Sequence, residues 1–120
     1  MKKDLALADH VLDLLTPLGG ITRRYMFGGW GFYKDGLFFA LIVDGRFYLK
    51  TRASTVQEFL DAGLVPCVFE TDKGPTQTSY YEAPEGVLEN PSLMSMWAKK
   101  GLAAAKEAAA KKPGKKPKKG

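Results

Sequence analysis

The sequence predicts an α+β domain: an antiparallel β-sheet, meander plus hairpin, packed with about three helices in the order α-β-β-β-α-β-β-α. Three observations carry this expectation. Apolar residues recur at helical spacing in three separate stretches, and runs of period two lie between them. Two Asp-Gly pairs, Asp35-Gly36 and Asp44-Gly45, separate apolar runs where a tight hairpin turn needs positive φ at both central residues. Helices parted by blocks of strands, without regular βαβ alternation, favour an antiparallel sheet.

The first helix is expected over Leu5 to Thr16. Leu5, Ala8, Leu12 and Leu15 form its stripe, Asp4 stands where a capping side chain would, and Pro17 with Gly19-Gly20 stops it. Ile21 to Phe27 then alternates as a strand, with Arg23 on one face and Arg24 on the other, so at least one arginine faces water. Gly28-Gly29-Trp30-Gly31 lacks the following helix and the Lys-Ser/Thr pair of a phosphate loop, which makes it a bulge or strand bend. Aromatic sequence to Tyr33, Leu37 to Val43 and Arg46 to Lys50 complete a three-stranded meander.

Ser54 and Gln57 fit a capping box opening a short helix, Thr55 to Ala62, that buries Val56, Phe59 and Leu60. Val65 to Thr71 and Thr76 to Glu82 read as a hairpin about Asp72-Lys73-Gly74-Pro75, and Pro66 places its first strand at an edge. Asn90-Pro91 begins the third helix, with Leu93, Met94, Trp97 and Ala98 on its buried face. Gly101 is a point where it bends or ends. Beyond it, Leu102 to Lys112 offers good helix formers and little large apolar surface to dock.

At 120 residues, 45% hydrophobic and 26% charged, the chain has the makings of one globular core. Its net charge of +5 is unevenly placed. Residues 99–120 hold nine lysines and one acid, Glu107, for a charge of +8, while residues 1–98 hold nine basic and twelve acidic side chains, for −3. The body is mildly acidic and only the tail is basic. Lys111, Lys112, Lys115, Lys116, Lys118 and Lys119, without aromatics among them, can neutralise phosphates but cannot read bases. Nonspecific nucleic-acid binding and plain solubilisation are both open to such a tail.

A single cysteine, Cys67, excludes an intrachain disulfide and suits a small core residue in a reducing compartment. Asp4, Asp9, His10 and Asp13 interrupt any export signal, and no run approaches the length of a membrane span, so a cytoplasmic protein is expected. Catalytic material is sparse. His10 has Asp9 and Asp13 in reach on its helix but no nucleophile, and Glu70, Asp72, Glu82, Glu85 and Glu89 lack metal-ligand spacing. A small enzyme using that acidic cluster is the least favoured alternative. No metal, cofactor, membrane or small-molecule substrate is indicated.

Tyr25, Phe27, Trp30, Phe32, Tyr33, Phe38, Phe39, Phe47 and Tyr48 crowd the meander with Arg23, Arg24, Arg46, Lys50 and Arg52 interleaved. That mixture suits a sheet binding single-stranded nucleic acid, with Arg23 and Arg24 on the backbone, but core packing is favoured because an acidic body repels phosphates. Phe38 and Phe39 point to opposite faces, which leaves some rings for a protein partner or a homodimer.

The run from Arg24 through Met26-Phe27-Gly28-Gly29-Trp30-Gly31-Phe32-Tyr33, then Phe39-Ala40-Leu41-Ile42 and Phe47-Tyr48-Leu49-Lys50, resembles the R-x-M-F-G-G-x-G-x-Y…F-A-L-I…L-Y-L-K pattern of the TfoX/Sxy N-terminal domain. Ser79-Tyr80-Tyr81-Glu82-Ala83-Pro84 and Trp97 are similar to later landmarks of that family. The resemblance implies an α+β fold, no enzymatic activity, and kinship with regulators of natural competence that act on transcription. It divides the chain into a TfoX N-terminal-like domain, 1–110, and a disordered lysine-rich tail, 111–120, where those regulators carry a second helical domain. The expected function is a non-enzymatic regulatory or interaction module, competence-related, with weak nucleic-acid binding through the tail.

Overall fold

The computed structural model describes residues 3–26 and 28–111. Helix α1 (Leu5–Leu15) and a 3-10 turn (Thr16–Leu18) lead into strands β1 (Ile21–Met26), β2 (Gly29–Lys34), β3 (Leu37–Val43) and β4 (Arg46–Lys50). Helix α2 (Val56–Asp61), strands β5 (Pro66–Thr71) and β6 (Gly74–Glu82), a second 3-10 turn (Glu85–Glu89) and helix α3 (Pro91–Lys111) follow. The α+β class and the antiparallel meander plus hairpin are as expected from sequence, with the glycine-rich segment itself a full strand of the meander.

One sheet holds all six strands in the order β1-β2-β3-β4-β6-β5. Every neighbouring pair is antiparallel. Both Asp-Gly pairs turn as their chemistry requires, with φ of 51° and 84° at Asp35-Gly36 and 51° and 76° at Asp44-Gly45. Pro66 lies on the edge strand β5, where its missing N–H breaks no ladder on the outer side. Strand β6 joins hairpin to meander, pairing Tyr80 with Lys50 and Glu82 with Tyr48.

Helices cover one face of the sheet. Val11 and Leu15 of α1, Phe59 of α2 and Met94 of α3 are fully buried there against Phe32, Phe39, Ile42 and Leu49. Asn90 accepts the Leu93 amide at 3.1 Å, so the N-cap read from Asn90-Pro91 forms. Two other caps do not. Asp4 is left-handed at φ 59°, and its carboxylate accepts the Gly45 amide across the molecule instead of capping α1. Ser54 donates to Glu107 and Gln57 to Asp61, so neither completes a capping box, because both side chains have partners that a local pattern does not reveal.

The end of α3 departs further from expectation. The helix runs straight through Gly101, and Leu102, Ala104 and Ala105 are buried. A Cβ on Gly101 would stand 3.1 Å from the Phe39 carbonyl oxygen and 3.2 Å from Leu49 Cδ2. Glycine and alanine dock this helix by letting it lie close on the sheet, where bulkier side chains would have held it off. The glycine-rich strand shows a related economy. The register slip in the meander falls at Phe32/Tyr33, leaving Phe39 as the extra residue of β3, and Gly31 serves a close approach instead.

Candidate interaction face

No helix covers the other face of the sheet among the described residues. Leu41, Tyr48, Cys67 and Tyr80 form a second, smaller cluster there, flanked by Phe38, Val43 and Phe69. Strand alternation, shifted by one residue at the Phe39 bulge, explains the split. Phe39 and Ile42 point to the helices while Phe38, Leu41 and Val43 point away, as expected of Phe38 and Phe39. These open-side residues bury mainly against one another. Tyr33 stacks on Phe38 at 5.0 Å between ring centroids, Phe38 meets Tyr80 at 5.2 Å, and the Lys50 ammonium lies 5.0 Å from the Tyr80 ring.

The rings frame an apolar hollow of about 130 Å³. Met26 from β1 and Phe69 from β5 both line it, although those strands are the opposite edges of the sheet, so the sheet curls around this face. Thr78 donates to the Cys67 carbonyl at 2.9 Å, which engages its hydroxyl proton away from the hollow. Burial pushes the Tyr80 phenol well above its ordinary value of 10.0, and pushes the Cys67 thiol up from 9.0 with a smaller contribution from Asp44. A thiol so placed stays protonated, which suits the core role read from sequence and not a nucleophile.

The two arginines singled out in the sequence are separated. Arg23 turns to the helix side, where its guanidinium pairs with Asp9 and lies 4.7 Å from the Trp30 ring centroid. It braces α1 against the sheet edge. Arg24 points to the open side, exposed, opposite Gly31 in the register. Arg46, also on the open side, pairs with Glu82 at 3.2 Å. Lys111 is the last residue of α3, and Lys112, Lys115, Lys116, Lys118 and Lys119 lie outside the described residues.

The acidic residues are dispersed. Glu70 and Asp72 sit at the β5–β6 tip, about seven residues of strand from Glu82, or roughly 23 Å at the usual rise. A separate cleft of about 500 Å³ near the start of β4 is lined by Glu82 and Glu85 together with Arg46, Leu64, Pro84 and Val87. Glu70 is not part of it, and the Glu82 carboxylate is already paired with Arg46. No group of three or more His, Cys, Asp or Glu among the described residues is placed to hold a metal ion. His10 uses Nε2 to donate to the Leu88 carbonyl and so ties α1 to the second 3-10 turn, with Asp9 engaged by Arg23. No helix among the described residues is long and apolar enough to cross a membrane.

Reading the meander alone does not reveal the contributions of Phe69, Thr78 and Tyr80. They reach this face only because β6 docks beside β4, a non-local pairing. The one local signal is parity: Cys67 and Phe69 alternate with exposed residues on β5, as Leu41 and Val43 alternate with the helix-side Ile42 on β3.

This architecture defines a small antiparallel α+β domain with one sheet face clothed in helices and the other an open, aromatic surface. Comparison of the sequence with known families matches the TfoX N-terminal domain over residues 13–105, and the chain belongs to that family. It is also similar to the DNA transformation protein TfoX1 of Aliivibrio fischeri (strain ATCC 700601 / ES114), 30% identical over 57 residues. That match covers 48% of this chain and 27% of the relative, so it spans about a quarter of that protein's length.

Proposed function

We propose that this chain is a non-enzymatic regulatory module related to DNA transformation, which docks a protein partner on its open sheet face and binds nucleic acid weakly through its lysine-rich C-terminal segment. The observation that carries the docking reading is the open face itself. Phe38, Val43 and Phe69 remain partly exposed on a surface that the protein's own helices leave bare, a pattern typical of interaction sites. Family membership and the name of the relative support the transformation role.

Nucleic-acid readout on this face is the weaker reading. A base needs an exposed ring face to stack on, and here Tyr33, Phe38 and Tyr80 spend their faces on each other and on Lys50. The lysine-rich segment supports binding of another kind, driven by counterion release and blind to sequence.

Two measurements test the proposal. In a strain lacking the chain, transformation frequency is expected to fall, to recover with the intact protein, and not to recover with Val43→Lys. Full recovery by Val43→Lys overturns the docking reading, and an unchanged frequency in the deletion strain overturns the role. For the tail, titration of labelled DNA should show an affinity falling roughly a thousandfold between about 50 and 200 mM salt if about six phosphate contacts form. Truncation after Ala110 should abolish that binding. A truncated chain that binds as well as the whole one, with Arg24→Ala weakening it, would move the site to the meander.

A further inference from the structure

We propose that the hollow in the open sheet face is a binding site for a small aromatic carboxylate, a free organic anion with one ring and a short acidic arm. The occupant differs from the protein partner considered above, so either reading can fail without the other.

Size and chemistry of the wall set the body of the ligand. An apolar protein cavity of about 150 Å³ accepts a benzene molecule. The hollow here is about 130 Å³, and Met26, Phe38, Leu41, Val43, Phe69 and Tyr80 supply its apolar lining. Gly31 makes part of this space: a Cβ there would fall 2.8 Å from the Phe38 ring and 2.9 Å from Met26 Cε, so any other residue would push those walls apart. Two of the three hydroxyls of the wall are engaged. The Thr78 hydroxyl is given to the Cys67 carbonyl, and the Tyr80 hydroxyl faces the Phe38 carbonyl at 3.5 Å. A polar ligand body would find few partners in so apolar a wall.

Charge at the mouth sets the arm. Among the described residues Arg23, Arg46 and Arg52 each pair with a carboxylate, and Arg24 has none. Its register partner is Gly31, and it shares the open face of β1 with Met26, which lines the hollow two residues on, so Arg24 is an unpaired cation on the edge strand that forms one wall. The Lys50 ammonium lies over Tyr80 toward the other side. No acidic side chain lines the hollow, and Asp44 at the nearby turn is neutralised by Lys3. An apolar pocket the size of one ring, with an unpaired arginine on the same face of the strand that walls it, selects a ring that carries a carboxylate on a short arm.

Titration of the intact, methyl-labelled protein with phenylpropionate and with neutral phenylpropanol, followed by NMR, tests this. The Met26, Leu41 and Val43 methyl signals are expected to shift and saturate at roughly millimolar ligand, with the acid binding about two- to fivefold more tightly than the alcohol. Arg24→Gln should erase that preference and leave ring binding in place. Val43→Phe should fill the hollow and remove saturable shifts for both ligands, and Met26→Phe does the same from the edge strand if Val43→Phe fails to fold. Shifts that do not saturate by roughly 20 mM overturn the site. Equal affinity for acid and alcohol, unaltered by Arg24→Gln, overturns the carboxylate.

Discussion

Phe38 and Phe39 are neighbours on one strand, yet they stand in two different environments. Phe39 is fully buried beneath α3, with Met94, Ile42 and Leu49 in the same cluster. Phe38 is half-buried between Tyr33 and Tyr80 on a face that no helix among the described residues covers. Helices shield the first face and set its stability. The second face keeps itself partly dry by ring-to-ring packing, and what it leaves uncovered is available for recognition.

The contrast is sharpest in a pair of truncations. Phe39→Ala should cost about 3–5 kcal/mol, the range for removing a large side chain from a closed core. Phe38→Ala should cost about 1–2 kcal/mol, because it leaves an open notch that water can fill. Urea midpoints at unchanged slope read both. Equal losses would mean that the open face is as well shielded as the helix side.

The next effect concerns how closely the covering helix lies. Gly101→Val should destabilise by about 1–3 kcal/mol, since its Cβ would meet the Phe39 carbonyl and Leu49 where the sheet backbone cannot yield. A neutral result in thermal melts would show that α3 has slack over the sheet.

Much of this fold was legible because the signals were local. Asp35-Gly36 and Asp44-Gly45 announce their turns, Pro66 its edge, Asn90-Pro91 its helix start, and the alternation around Phe38 and Phe39 their separate faces. What could not be read depended on partners distant in sequence. Ser54 looks like a cap until Glu107 arrives from α3, and Asp4 looks like one until the β3–β4 turn presents the Gly45 amide. The docking of residues 102–105 was hidden because an alanine-rich helix docks by close approach, and composition registers only bulk. Of the candidate site, alternation on the first strand showed that at least one of Arg23 and Arg24 faces water, without saying which. The hollow was not legible, since four of its ten lining residues come from a hairpin whose place in the sheet no short motif specifies.

A smaller, pH-linked effect separates the faces by titration. Tyr48, Cys67 and Tyr80 all lie in the open-side cluster, and burial raises the pKa of each when folded. The folded state therefore holds protons that the unfolded chain releases, from the ordinary 9.0 of the thiol and 10.0 of the phenols upward. Stability is full below about pH 9 and falls as pH rises through the folded values. Tyr80→Phe should flatten part of that decline, measured as the difference in urea midpoint between about pH 8 and pH 11. A decline as steep in Tyr80→Phe as in the parent would place the alkaline sensitivity elsewhere.

The smallest expected effect divides the arginine pair. Arg23→Ala removes both the Asp9 ion pair and the contact with Trp30, and should cost about 1 kcal/mol given that Asp9 is exposed and the pair is screened. Arg24→Ala removes no ion pair and should lie within about 0.5 kcal/mol of the parent. Function should follow the reverse order, with Arg24→Ala losing the preference for an anionic ligand and Arg23→Ala keeping it. If Arg24→Ala proves the more destabilising of the two, its guanidinium is engaged in the folded protein, and the open face has no spare cation at its rim.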